Sequence, residues 1–254
     1  MSSRIIGIGG GVGPMAGVKL HEKIVALTPA TSDKEHLDVF HFSCSSDIAD
    51  RTRYSLTGEG ENPAMGMFRK VKAIHQAAAV YQKEVVLGIP CNSFHVPVIF
   101  TVFRELVHQH YPTTRLIHML EETAQYLNAH LPKLQKVGLL STTGTRQSKV
   151  YQHTLAISLS AKTELIEVPE QLQAQVHESI YHPEWGIKAH SGSTPKARAN
   201  FLHFANVLIE AGAEAIILGC TEIPLVLSEP ELQGTPLVDP VHILAKALIA
   251  EAPA

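Results

Sequence analysis

Two cysteines carry the strongest chemical signal in this chain. Cys91 in "VVLGIPCNS" and Cys220 in "AIILGCTE" each follow an apolar run and precede a polar pair, roughly half of the 254-residue chain apart. A thiol serves as an acid or base only where its surroundings favour ionisation, and the amides of a strand-to-helix turn lower its pKa from a free value of about 8.5. Both cysteines are read at such turns. Each is followed by groups able to hold a carboxylate: Asn92 and Ser93 in one case, Thr221 and Glu222 in the other. Thiols facing each other across a carbon can take a proton from one face and return one to the other. The third cysteine, Cys44 in "FSCSSD", reads as a small buried side chain.

Other chemistries fit the residues less well. The turn "GIGGGVGP" holds Gly7, Gly9, Gly10, Gly11 and Gly13, but no placement gives the G-x-G-x-x-G spacing of a dinucleotide site. It suits instead a turn whose backbone amides, Gly11 among them, approach a small anion beside a helix N-terminus. The 15 histidines form no H-E-x-x-H and the three cysteines no C-x-x-C, so no metal site is expected; His108 and His110 read as a solvated pair. His95 lies one helical turn after Cys91 and is read either as a support for the thiolate or as a packing residue. Making it the base of a cysteine hydrolase leaves the second cysteine unexplained. "SSDIADRTRYS" offers Arg51 or Arg53 as a clamp for a carboxylate, and "EWGIKAHSG" offers Lys188.

Those residues need elements to position them. Short β-branched runs, at 4–9, 37–43, 85–89, 114–118, 136–141, 163–168, 214–219 and 236–238, alternate with helical patterns such as Phe68, Val71, Ile74 and Ala78. Thr194-Pro195 and Asp239-Pro240 read as N-caps followed by proline at the first helical position. Apolar strands separated by helices predict an α/β fold with parallel sheets covered on both faces. The two halves repeat: "RIIGIGGGVGP" and "KVGLLSTTGT" are both strands ending in small-residue turns, each followed later by its cysteine. The expectation is two similar doubly wound domains, pseudo-twofold related, with parallel four-stranded sheets. Residues 1–113 plus 226–254 would carry Cys91, and residues 114–225 would carry Cys220, with the site in the cleft between them. Open parallel sheets bind ligands outside the carboxyl ends of their strands.

Composition limits the class of partner. Hydrophobic residues make up 45% and charged residues 18%, and the net charge is −3, which points to neither nucleic acid nor an anionic membrane. No leader pattern opens the sequence and no apolar run reaches the roughly 18 residues of a membrane span. Few, odd-numbered cysteines point to reduced thiols and a cytoplasmic protein.

The ordered segments "GGVGPMAG", "DIADRT", "IPCNSFH", "VGLLSTTGT", "GIKAHSG", "LGCTEIPL" and "LVDP" resemble, end to end, the aspartate/glutamate racemase superfamily and its aspartate racemase branch. The resemblance implies a cofactor-independent amino-acid racemase, commonly a homodimer, with a small amino acid (aspartate, glutamate or a related one) as its substrate. It makes Cys91 and Cys220 the acid/base pair. Arg51 and Lys188 become the cations that bind the substrate's side-chain carboxylate. Asn92, Ser93, Thr143, Thr145 and Thr221 line the α-carboxylate pocket. Glu222 marks the branch, since glutamate racemases usually carry histidine there. Three departures bear on the substrate: Ser93 and Phe94 replace a common threonine and alanine, Arg146 replaces a small or apolar residue, and "HPEWG" extends the loop before Lys188. Two further readings stay open: cis-trans isomerisation of a dicarboxylate, as in maleate isomerase, and amino-acid binding without catalysis.

Overall fold

The computed structural model describes residues 4–10, 13–158 and 163–252. Nine strands and eleven helices are assigned among them, in the order β1 (Arg4–Gly9), α1 (Pro14–Leu27), β2 (Val39–Phe42), α2 (Arg51–Thr57), α3 (Pro63–Val80), β3 (Glu84–Gly88), α4 (Pro97–His110), β4 (Arg115–Ile117) and α5 (Met119–His130). Then follow β5 (Lys136–Leu140), α6 (Thr143–Gln147), α7 (Val150–Ser158), β6 (Glu164–Glu167), α8 (Glu170–Tyr181), α9 (Ile187–His190), α10 (Pro195–Glu210), β7 (Ala215–Leu218), β8 (Glu231–Leu232), β9 (Thr235–Val238) and α11 (Pro240–Glu251). All eight strands expected from the sequence form, within one or two residues of their expected ends.

The chain divides into two compact units: residues through Glu122 together with those from Val241 onward, and Thr123–Pro240. In the first, the strands lie in the order β2-β1-β3-β4, all parallel. In the second, the order is β6-β5-β7-β9-β8. Its first four strands are parallel and repeat the first sheet's sequence of crossovers. The fifth strand corrects the expectation of two four-stranded sheets. Glu231–Leu232 turns back antiparallel on β9 through Gln233 and Gly234, both with positive φ. A two-residue strand is too short to leave a periodic signal.

The residues explain the layers. The inner strands β1, β3 and β7 are apolar almost throughout and buried, as strands covered by helices on both faces must be. Edge strand β6, "ELIE", is half-buried, with Glu164 exposed. Helix α3 begins where Asn62 caps it by accepting the Ala64 N–H, and α10 where Thr194 accepts the Ala197 N–H. Their apolar faces supply Val71 and Ile74 to the first core, and Phe201, Phe204 and Leu208 to the second. Each fully buried side chain of this size contributes about 1.5–3 kcal/mol. Helix α11 closes against β3 at Gly88, where a Cβ would stand 2.8 Å from a Leu248 methyl.

Candidate active site

In a sheet ordered 2-1-3-4, helices leave the first and third strands toward opposite faces, and the carboxyl ends of those strands flank a crevice. In the first unit that crevice lies between β1 and β3; in the second, between β5 and β7. Cys91 follows β3 and Cys220 follows β7, so each cysteine sits at the switch point of its own sheet.

Cys91 caps a single 3₁₀ turn, Asn92–His95, rather than a long helix. Its N–H donates to the Ile89 carbonyl (2.9 Å), and its own carbonyl accepts from the Phe94 N–H (3.2 Å). The thiol is half-buried, with Sγ 3.6 Å from Ser93 Oγ. Asn92 is buried behind it at 4% exposure. His95 does not reach the thiol. Its Nδ1 lies 2.8 Å from the Cys91 carbonyl, and its Nε2 lies 3.3 Å from the Met119 N–H. Both ring nitrogens are thus committed to main chain, which removes the hydrolase arrangement with His95 as base.

Around the same sheet end, the charged segment after β2 sorts itself. Asp50 caps α2 by accepting the Arg53 N–H, and Arg53 pairs with Glu59 at the surface. Asp47 is held by Arg69, whose guanidinium keeps its carboxyl below the usual carboxylate range. Arg51, the first residue of α2, makes no hydrogen bond or ion pair among the described residues, and its buried Nε lacks a partner. Such an atom costs free energy until something accepts from it. Gly11 lies outside the described residues. Its neighbour Gly10 donates its N–H to the Phe42 carbonyl (2.7 Å), an approach so close that a Cβ would stand 2.3 Å from that oxygen. Cys44, expected to be buried, is exposed, because the chain has left β2 by Phe42 and turned outward.

In the second unit, Thr142 caps α6: its hydroxyl accepts the Thr145 N–H (3.2 Å) and donates to Thr145 Oγ1 (3.0 Å). Thr145 is buried and Thr143 half-buried. At the neighbouring strand end, the Gly219 N–H donates to the Leu140 carbonyl (2.7 Å), which mirrors Gly10. Cys220 is 7% exposed. Its thiol donates to Glu222 Oε2 (3.1 Å), and the Thr221 hydroxyl donates to the same oxygen (2.9 Å). Lys188 takes the other oxygen, Oε1, in a short charge-assisted bond, and lies over the Tyr181 ring at 5.5 Å. Three side chains, Cys220, Thr221 and Lys188, therefore converge on one carboxylate.

The electrostatics follow. Burial pushes the Cys220 thiol well up and the Glu222 charge adds to this, while Lys188 opposes it. Burial also works against ionisation of Glu222, but the Lys188 charge and the hydrogen bonds from Lys188, Cys220 and Thr221 outweigh it, holding the carboxyl below its usual range. Burial likewise disfavours the Lys188 charge, yet the neighbouring Cys220 and Glu222 raise its pKa overall. At rest the site holds a carboxylate, an ammonium and a protonated thiol.

The model of the Asp/Glu/Hydantoin racemase family matches residues 10–248. The chain belongs to that family. It is an isomerase of the racemase type. Aspartate racemase from Picrophilus torridus is similar in structure, with a TM-score of 0.76 and 26% identity over 98% of this chain and 94% of that one. An aspartate racemase homologue from Pyrococcus horikoshii OT3 shares the fold at 19% identity, with a TM-score of 0.69 over 98% and 99% of the two chains. An uncharacterized protein in the pnlA 3' region of Pectobacterium carotovorum subsp. carotovorum is 35% identical over 116 residues, 45% of this chain and 71% of that protein.

Within this family member, the three sequence departures have structural accounts. Phe94 points into the core, edge-on to Phe100 and Phe103, and is fully buried, so it does not narrow the crevice. Arg146 turns away toward β6 and α8, donating to the Val168 carbonyl (2.9 Å) and Gln173 Oε1 (3.0 Å), with Glu170 3.1 Å away. The "HPEWG" loop is pinned. Trp185 stacks on His182 and lies under Lys196, and its carbonyl accepts from the Thr194 hydroxyl (2.6 Å). Held in this way, the loop delivers Lys188 to Glu222. Sequence reasoning missed Gln173, a buried amide that donates to the Ser141 carbonyl (3.1 Å) and lies 3.4 Å from Thr143 Oγ1. One glutamine in a helix of mixed polarity gives no signal. Among the described residues, no group of three or more His, Cys, Asp or Glu could hold a metal ion, and no helix is long and apolar enough to cross a membrane.

Proposed function

We propose that this chain is a cofactor-independent racemase of a free amino acid (aspartate, glutamate or a close relative), with Cys91 and Cys220 as its two bases. The supporting observation is that each thiol stands at the carboxyl end of an inner strand beside a topological switch point, in units of repeated topology. The chemistry demands a thiolate on one face of the α-carbon and a thiol on the other. The thiolate takes the α-proton, forming its S–H bond as the C–H bond breaks. The electron pair delocalises into the carboxylate, and the opposite thiol then delivers its proton to the carbon. The product is the enantiomer, and the two sulfurs have exchanged protonation states.

An α-proton of an amino acid is far less acidic than a thiol, so the developing enediolate must be stabilised by fixed donors. Asn92, Ser93, Thr143, Thr145 and Thr221, with the backbone around Gly11, are proposed for that role. Arg51, with its unpartnered Nε, is proposed to hold the side-chain carboxylate. Lys188 is assigned two duties. It keeps Glu222 ionised, and its remaining N–H groups face the substrate. Glu222 accepts the Cys220 hydrogen bond and so orients that thiol. A homodimeric state and a cytoplasmic location belong to the same reading.

The decisive experiment incubates the protein with L-aspartate, L-glutamate and neutral L-amino acids in deuterated water. The expected result is the D enantiomer together with deuterium at the α-carbon. Inversion without solvent deuterium, or no inversion of any of them, would sink the reading.

A further inference from the structure

We propose that His95 is a positioning residue for Cys91, acting through the main chain: its Nδ1–H donates to the Cys91 carbonyl while its Nε2 accepts the Met119 N–H. The inference rests on the assignment of Cys91 as a base, and it concerns a residue that does not touch the thiol.

The geometry carries it. A peptide unit is planar, so the Cys91 carbonyl and the Asn92 N–H are fixed relative to each other. Holding the carbonyl therefore aims the N–H and sets the backbone torsion that directs Cys91 Sγ. The carbonyl accepts from His95 Nδ1 (2.8 Å) and from the Phe94 N–H (3.2 Å). His95 is itself fixed from the far side by the Met119 N–H (3.3 Å), at the start of α5. Its ring is fully enclosed. It stacks on Phe100 at 4.8 Å and meets Phe94 and His118 edge-on at 6.3 Å and 4.5 Å. With one nitrogen facing a carbonyl and the other an N–H, only the tautomer protonated at Nδ1 satisfies both partners. A charged ring would place two N–H groups against one acceptor and one donor.

The surrounding charges agree. Burial, the neighbouring His118 and Arg104 of α4 hold the His95 pKa well below its ordinary value, against the pull of the Cys91 carbonyl. The ring stays neutral through the range in which a thiol works. It is thus a strap with no acid–base role of its own, linking the Cys91 turn to the element that follows β4.

The test separates the two ring nitrogens. Asparagine places an N–H where Nδ1 was and keeps the bond to Cys91, whereas glutamine reaches the Nε2 position and keeps only the bond to Met119. In His95→Asn, kcat should stay within about threefold of the unmutated enzyme; in His95→Gln and His95→Leu it should fall at least about 30-fold, with KM changed less than about twofold. Melting temperatures should not rank the variants this way. Iodoacetamide labelling of Cys91, with Cys44 and Cys220 replaced by serine, supplies a readout that needs no turnover, and it should be altered in the glutamine variant but not in the asparagine one. Imidazole ¹⁵N spectra of the unmutated protein should show Nδ1 protonated and Nε2 bare from pH 5 to pH 8, whether or not any variant folds. Equal losses in the asparagine and glutamine variants, no loss in either, or an Nε2–H tautomer would overturn the proposal. Should the unmutated protein racemise nothing, the functional reading fails, while the labelling series and the spectra still decide the role of His95.

Discussion

The two cysteine turns hold their thiols by different means. At Cys91 the control is in the backbone: the N–H goes to Ile89, and the carbonyl is held by Phe94 and His95. The thiol is half-buried, with Ser93 Oγ 3.6 Å away. At Cys220 the control is in the side chains. The thiol is buried and donates to Glu222, whose other oxygen is taken by Lys188. Similar strand-end positions, reached by repeated topology, thus carry unlike local electrostatics. The first turn uses an enclosed neutral ring, and the second a buried carboxylate paired with a half-buried ammonium. The sulfurs of a two-base racemase exchange protonation states with each inversion, so each turn has to hold both the thiol and the thiolate, and the two turns would do so by different means.

The comparison breaks most severely if either sulfur is dispensable. Cys91→Ala and Cys220→Ala should each reduce racemisation by at least about 10³-fold with an unchanged circular dichroism spectrum. A single variant at full activity would remove the pair as a unit.

Next come the partners that distinguish the turns. Glu222→Gln should lower kcat by about 10- to 100-fold. It should also move the alkylation midpoint of Cys220 to lower pH, since the Glu222 charge is among the influences that raise that thiol's pKa. Lys188→Met removes an opposing influence and should move the midpoint up. Opposite directions are the signature; a shared direction would show that the coupling at Cys220 is misassigned.

Helix α2 offers a sharper control. Arg51→Met should raise KM by about tenfold or more, the cost of losing a charge-assisted hydrogen bond to a substrate carboxylate. Arg53→Met, two residues on in the same helix, removes only an exposed pair with Glu59 and should change stability by no more than about 0.5 kcal/mol. Equal KM values in the two variants would remove Arg51 from the site.

The smallest effect is on stability against pH, and it too differs between the units. Burial lowers the pKa of His118 to about 3 and that of His75 to about 4, and lowers His95 as well. The unfolded chain then binds more protons than the folded one below the ordinary histidine pKa of about 6.5, so stability of the first unit falls as the pH drops through 6 toward 4. In the second unit, Glu222 is lowered and Lys188 raised. Their contribution is present between the unfolded values. It is lost in acid as the pH falls through the folded Glu222 value, and in alkali above the lysine range. Thermal melts from pH 4 to pH 8 should decline on the acid side, and replacing His118 with phenylalanine should flatten that decline.

Much of this was legible in the sequence. Apolar runs such as "RIIGIG" and "AIIL" can only be buried strands, and Thr194-Pro195 can hardly be anything but a helix start; the parallel α/β class follows from these local patterns. The short return strand at Glu231–Leu232 left no trace, because pairing and not propensity makes it. Nor does the sequence say where a side chain points. Phe94 near Cys91 could line the pocket or pack into the core and does the latter, and Arg146 beside Thr145 proves to brace Gln173 and β6. Cys44 was expected inside and lies outside.

The sequence by itself determined the residue types at the carboxyl ends of the strands, because spacing along the chain fixes which positions fall in those turns. Only the tertiary structure decided what each side chain is bonded to. Lys188 reaches Glu222 across 34 residues of chain, and His95 reaches Met119 across 24. Such partnerships arise from helices packed onto sheets, which bring distant residues within hydrogen-bonding distance, and no local pattern encodes them.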